Sequence, residues 1–418
     1  MKPQQRTLGT VLIPGALLED EMNGWSESPI YPLRTIGDFI ILLLLERGIR
    51  MTKTALKAPF RADHVGSLLR PESIHKARED YQADRISYEQ LREIETEEIR
   101  NVVDKQIEVG LKAVTDGEFR RRFWHTDFLE HLEGVEGYVP DTGFQFDGIE
   151  TERYDVRVTG KVAFNKDHPH IKDFIEFREI VGDRAVAKQT IPSPNQMFNA
   201  GIRDQDIYPD IETYAKDVIK TYQEAVQAFY DAGCRYLQFD DVYIAGLNAP
   251  EIPFNDSGYD RNSLIHLALR VLNGVLEQKP EDMVITTHLC RGNYRSKWAF
   301  EGSYAKIAPV LFAKEQVDGF FLEYDDDRSG DFEPLSYIPK AGPRVVLGLF
   351  TSKRGELEDE DVIRERIEEA SKYVTKDQLC LSPQCGFAST HHGNELTEEA
   401  QWKKLKYIVS LSEKFLGE

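Results

Sequence analysis

A four-part unit recurs after residue 51: an amphipathic helical stretch, a glycine that stops it, a short apolar run, and an acidic residue where that run ends. Its first copy has a capping-box pattern at Ser87 and Gln90, then Leu91, Ile94, Val102, Val103 and Ile107 at helical spacing. Gly110 ends that helix, and Lys112 to Thr115 runs into Asp116. A later copy uses Tyr214, Val218, Val226 and Phe229, then Gly233, then Arg235 to Phe239 before Asp240. Alternation of the two periods predicts parallel βαβ units. Eight strand-like runs fit the pattern: Ala58 to Val65, Lys112 to Thr115, Arg184 to Gln189, Arg235 to Phe239, Met283 to Thr287, Asp318 to Leu322, Arg344 to Leu349 and Gln378 to Leu381. The alternating stretch Tyr154 to Val162 reads as an inserted hairpin. The expected fold is therefore α/β, a (β/α)8 TIM barrel. A doubly wound open sheet is the alternative, but the chain has neither a GxGxxG nor a GxxxxGK[ST] phosphate loop.

Charge narrows the function classes. The 418 residues carry 52 Lys and Arg against 72 Asp and Glu, a net charge of −20, which disfavours nucleic acid and anionic membrane surfaces. Four cysteines are too few for a disulfide framework and suit a cytoplasmic protein that uses thiols for metal binding or catalysis. Residues 1–50 differ from the rest. Their apolar run Ile36 to Leu45 is broken by Gly37 and Asp38, is too short to span a bilayer, and follows acidic residues as no signal peptide core does. Residues 1–50 are expected to be a disordered or non-native extension, with the true start at Met51, and residues 51–418 to form one barrel. Oligomeric state is left open.

Barrel enzymes place their chemistry at the C-terminal strand ends. Here those ends read His64-Val65-Gly66-Ser67, Asp116-Gly117-Glu118, Asp240-Asp241, His288-Leu289-Cys290, Glu323 and, just past the last run, Cys385. His288 and Cys290 are two residues apart in an extended segment, so their side chains share one side. With Glu323 and Cys385 they make a ligand set of two thiolates, one imidazole and one carboxylate, which suits tetrahedral zinc.

Thr287-His288-Leu289-Cys290, Leu322-Glu323 and Pro383-Gln384-Cys385-Gly386 resemble the zinc motifs of cobalamin-independent methionine synthase, in its C-terminal catalytic domain. Val65-Gly66-Ser67, Asp116-Gly117-Glu118 and Leu237-Gln238-Phe239-Asp240 are similar to its homocysteine-contacting segments. The resemblance runs from Phe60 to the C-terminus with all six motifs in order, and is nearest to the short single-domain members. It implies a uroporphyrinogen decarboxylase/methionine synthase-like barrel that transfers a methyl group, with Zn2+ held by His288, Cys290, Glu323 and Cys385. Gly66, Ser67, Glu118 and Asp240 would bind homocysteine, whose thiol the metal deprotonates. The methyl donor would be methyl-tetrahydrofolate, with a methylcorrinoid or a smaller donor as alternatives. Two departures stand out. Lys353 occupies the segment where long members have a proton-donating histidine, and the folate-stacking tryptophan has no counterpart unless Met197 or Phe198 serves. A coenzyme M-type acceptor is disfavoured by the acidic Glu118 and Asp240; a non-catalytic zinc-holding relative is the remaining alternative.

Other residues have plainer expected roles. Cys234 and Cys380 read as small core residues, and His391 and His392 as part of a solvated loop or lid in preference to metal ligands. His64 either lines the pocket or is a core histidine, and Asp241 supports its neighbours. Asp325, Asp326 and Asp327 read as a solvated loop. Arg120, Arg121 and Arg122 either bind a polyanionic donor tail or pair with nearby acids.

Overall fold

Short β-branched and aromatic runs, buried along most of their length, become parallel strands whose two faces are both covered. In the computed structural model, residues 58–249, 252 and 257–417 are described, all within the unit Met51–Glu418; the expected extension 1–50 lies outside the described residues. Eleven strands occur there in chain order: β1 (Ala113–Val114), β2 (Glu133–Tyr138), β3 (Gln145–Phe146), β4 (Ile149–Glu150), β5 (Asp155–Ala163), β6 (Val186–Pro192), β7 (Tyr236–Asp241), β8 (Val284–Leu289), β9 (Gly319–Glu323), β10 (Arg344–Phe350) and β11 (Leu379–Pro383). Seven of them form one sheet in the order β1-β6-β7-β8-β9-β10-β11, every pair parallel. Helices separate most neighbours, as the recurring unit predicts. The helix Tyr88–Glu108 starts at the expected capping box, with Ser87 Oγ accepting from Gln90 N and Gln90 Oε1 from Ser87 N. The helix Ile211–Asp231 buries the apolar face that carries Tyr214, Val218, Val226 and Phe229.

The expected eight-stranded closed barrel is corrected to a TIM-barrel-like sheet of seven strands that stays open. The run Ala58 to Val65 meets the sheet through one bridge, Ala62 to Leu381, and no ladder among the described residues joins it to β1. Local chemistry explains this. Pro59 has no N–H, and the Asp63 carboxylate accepts from Phe60 N (3.2 Å) and His64 N (2.8 Å), diverting two backbone donors from a ladder. The stretch Tyr154 to Val162 is also corrected: it is one strand, β5, paired antiparallel with β2. The hairpin of this insertion lies upstream, between β3 and β4.

Side chains fill the gap that the missing ladder leaves. Lys188 Nζ lies 3.1 Å from Asp63 Oδ1 and donates to His64 O (2.6 Å), while Tyr236 OH donates to Asp63 Oδ2 (2.9 Å). Lys188 and Asp63 have fully buried side chains, and the ammonium lies 4.1 Å from the Phe321 ring centre. Burial lowers the Lys188 pKa while Asp63 opposes that shift. No helix among the described residues is long and apolar enough to cross a membrane. Removing one partner of a buried ion pair costs about 3–5 kcal/mol, because the other charge stays buried alone. Lys188→Met should therefore lower the unfolding free energy by an amount of that order, read as a lower urea midpoint; an unchanged midpoint would contradict the pairing.

Candidate metal centre

Strand register brings the motif residues to one rim. Asp240 on β7 lies opposite His288 on β8, and His288 lies opposite Phe321, two residues before Glu323 on β9. Cys290 extends the ladder past β8, its N–H donating to Asp241 O (3.1 Å). Cys385 sits two residues beyond β11, in a loop stitched down on both sides. Gln384 N donates to Phe350 O (2.8 Å), Phe387 N to Ser67 O (2.9 Å), and Asn293 Nδ2 to Gly386 O (2.7 Å). Gly386 permits this closeness, since a Cβ there would meet Ser67 Oγ at 2.0 Å.

His288, Cys290, Glu323 and Cys385 are all buried, and one ligand atom from each lies within 4.8 Å of the others. The two sulfurs are 3.4 Å apart. That is far beyond a disulfide bond, yet close to the about 3.8 Å expected of two sulfurs each 2.3 Å from one tetrahedral ion. Neither His288 ring nitrogen makes a hydrogen bond of normal geometry, and neither does Glu323 Oε2. Buried polar atoms are seldom left so. Glu323 Oε1 accepts from Arg291 N (2.8 Å) and Cys290 Sγ from Gly292 N (3.3 Å), which orients both groups. The cluster is electrostatically crowded. The hydrogen bond to Cys385, then burial, holds the Cys290 thiol well above its ordinary value, and burial raises Glu323 as well. Burial, with Lys188 nearby, lowers His288 to about 3, so the imidazole is neutral with its lone pair available. This donor set fits a divalent, borderline-soft metal ion.

His288, Cys290 and Cys385 line a cavity of about 550 Å³, and Ser67, Glu118 and Asp240 line the same cavity. Glu118 has φ +60°, and its Oε1 accepts from Thr190 Oγ1 (2.8 Å) with Arg121 Nη1 at 3.4 Å. Its Oε2 has no hydrogen-bond partner. Burial raises the Glu118 pKa, and burial followed by the charge of Glu118 raises Asp240 well above its usual range. Two crowded acids with free acceptor capacity make a site for a small cation. Gly66 is not among the cavity-lining residues: it supports the wall, where a Cβ would meet Thr190 Cγ2 at 2.7 Å. Lys353 also stands outside the lining, 3.9 Å from Asp325 and close enough to Glu323 to favour its ionised form.

Several other sequence readings now have partners. Asp241 accepts from Ser193 Oγ (2.6 Å), Asn195 Nδ2 (2.9 Å) and Ile244 N (2.9 Å), which makes it a support. His64 is buried away from the cavity lining, and Cys234 and Cys380 are fully buried. Asp325 departs from the expected solvated loop, because its side chain is 3% exposed and pairs with Arg328. Arg120 binds Asp173 and Glu176, Arg121 binds Glu118, and Arg122 binds Glu152, so all three are matched with acids. His391 is half-buried and bonds Glu152, while His392 is exposed. Sequence reasoning missed the aromatic wall: Phe123, Trp124, Tyr154, Phe144 and Phe146 line the cavity, the last two carried by the β3–β4 insertion. The phenylalanine pair inside the turn-rich Asp141-Thr142-Gly143-Phe144-Gln145-Phe146-Asp147-Gly148 was the available signal, since loops seldom expose two such rings.

Residues 60–412 match the family described as cobalamin-independent synthase, catalytic domain. The uncharacterized Bacillus subtilis protein YxjG is 49% identical over 361 residues, covering 85% of this chain and 94% of that protein. A crystal structure from Listeria monocytogenes, provisionally assigned as a vitamin-B12-independent methionine synthase, is 48% identical with a TM-score of 0.71, covering 86% of this chain and 99% of that one. A B12-independent methionine synthase from Shewanella sp. W3-18-1, solved with selenomethionine, has the same fold at 19% identity, with a TM-score of 0.64 over 85% of this chain and 97% of that one.

The close sulfurs give a direct test. In metal-free protein a mild thiol oxidant should join Cys290 to Cys385 and leave Cys234 and Cys380 reduced; metal loading should protect the pair. Peptide mapping that found no Cys290–Cys385 link would contradict the convergence.

Proposed function

The chain belongs to the cobalamin-independent synthase catalytic-domain family, and from that premise we propose that it methylates the thiol of homocysteine, using zinc at His288, Cys290, Glu323 and Cys385 and a methyl-folate donor. One observation carries the reading: two thiols, an imidazole and a carboxylate converge beside a cavity whose wall also presents two carboxylates. Bound zinc would supply Lewis acidity that keeps an incoming thiol deprotonated near neutral pH.

The protein's own groups do the rest. Glu118 and Asp240 bind the substrate ammonium, whose charge offsets the burial and the repulsion from Glu118 that raise the Asp240 pKa. The Ser67 hydroxyl accepts from Ala388 N (3.4 Å), leaving its proton for the substrate carboxylate. Together these fix the amino-acid end, so the thiol is held toward the metal ligands and its translational freedom is already lost before reaction. Lys353 favours ionised Glu323 from behind, a role we prefer to proton donation at a reacting atom. The ring of a folate suits the aromatic wall of Trp124, Phe144 and Phe146, where a flat heterocycle stacks; that wall gives no reason to invoke a corrinoid. A sulfonate-bearing acceptor would meet the two acids and be repelled.

Metal analysis should find one zinc per chain bound by the four-residue centre, lost in Cys385→Ser together with activity; full activity of the metal-free protein would overturn the proposal. Asp240→Asn removes a charge-assisted hydrogen bond of about 1.5–3 kcal/mol, so kcat/KM for homocysteine should fall roughly 10- to 100-fold, mainly through KM. Methyl transfer to homocysteine should proceed from methyl-tetrahydrofolate and not from methylcobalamin.

A further inference from the structure

We propose that Glu152, His391 and His392 form a second divalent transition-metal site at the mouth of the cavity, built from two imidazoles and one carboxylate. It involves none of the four residues described above. One ligand atom from each of the three residues lies within 4.8 Å of the others. His391 Nε2 and Glu152 Oε2 are 3.1 Å apart, and the two imidazole rings are centred 3.9 Å apart. Two donors each about 2.1 Å from one ion lie about 3.0–3.4 Å apart in octahedral or tetrahedral geometry, so the His391–Glu152 spacing needs little change.

The surroundings hold the three groups ready. Arg122 binds Oε1 of Glu152, which turns Oε2 toward the imidazoles, and His391 N donates to Arg122 O (2.8 Å), fixing the backbone beside it. Thr390 Oγ1 lies 3.3 Å from His392 Nδ1, and the Tyr294 ring meets His392 edge-on at 5.4 Å. Such outer contacts orient ligands before a metal arrives. Partial burial lowers the pKa of both histidines, His392 to about 4, so both are neutral at pH 7 and can donate lone pairs. The carboxylate is also held below its usual range by His391 and Arg122, against the effect of burial. The positive charge of Arg122 opposes a cation, so this site should bind more weakly than the thiolate centre.

Position gives the site a consequence. Glu152 lines both the main cavity and a neighbouring one of about 630 Å³, and His391 lines the second. A metal there would tie the β2–β5 insertion, which carries the aromatic wall, to the loop that follows Cys385. Excess Zn2+ is then expected to stiffen the mouth.

Protein already holding one zinc at the thiolate centre is titrated with Co2+ or Zn2+ and the bound metal is counted after gel filtration and by calorimetry. The wild type should take up a second equivalent. The variants His391→Ala and His392→Ala should each lose that equivalent and keep the first, while Cys385→Ser should lose the first and keep the second. Cu2+ offered to the zinc-loaded wild type should give an electron paramagnetic resonance spectrum with nitrogen couplings that vanish in His392→Ala. Uptake of only one equivalent by the wild type, or a second equivalent unchanged in both histidine variants with thermal midpoints like wild type, would overturn the site without touching the thiolate centre.

Discussion

The Asp63 carboxylate holds the open edge of the sheet. It accepts from two backbone N–H groups of its own segment, from Lys188 and from Tyr236, all with little access to water. These bonds are strong because the local dielectric is low, and each would be costly to leave unmade. They set residues 58–67 against the sheet where a ladder does not. Ser67 thereby reaches the loop after β11, whose Phe387 N donates to it, and that loop carries Cys385. A polar knot at the base of the sheet thus fixes half of the sulfur pair at its rim.

The rim concentrates acidic groups. Cys290, Cys385 and Glu323 lie within one ion's reach, and Glu118 and Asp240 crowd a second spot on the same cavity wall. Burial by itself pushes these acids toward their neutral forms. The fold answers partly with cations set behind the surface, Arg121 next to Glu118 and Lys353 next to Glu323. What those cations leave uncompensated faces inward, at the four-residue cluster and at the Glu118–Asp240 pair, and suits a cation at either place.

The insertion between β1 and β6 contributes differently. Its antiparallel pair and its small hairpin lie outside the parallel sheet, and they bring Phe144, Phe146, Tyr154 and Glu152 over the cavity. The parallel sheet therefore supplies the four-residue cluster and the two acids, and the insertion supplies a roof and one wall. Arg120, Arg121 and Arg122 are each matched with acids, and the roof is aromatic in character.

The sequence alone determined the seven parallel strands, the helices that separate most of them, and the spacing His288-Leu289-Cys290, because strand and helix periods and i, i+2 geometry are local properties. It also marked the acids and candidate ligands at strand ends, since parallel strands deliver all their C-terminal ends to one rim. It did not determine how Ala58 to Val65 would be held without a ladder, because that depended on Asp63 finding Lys188, 125 residues away. Nor did it reveal that Glu152 would meet His391, 239 residues later, or that a hairpin's aromatic rings would face the cavity. Those contacts exist only once the sheet has curved and the loops at its rim have been brought together, and no local period encodes them.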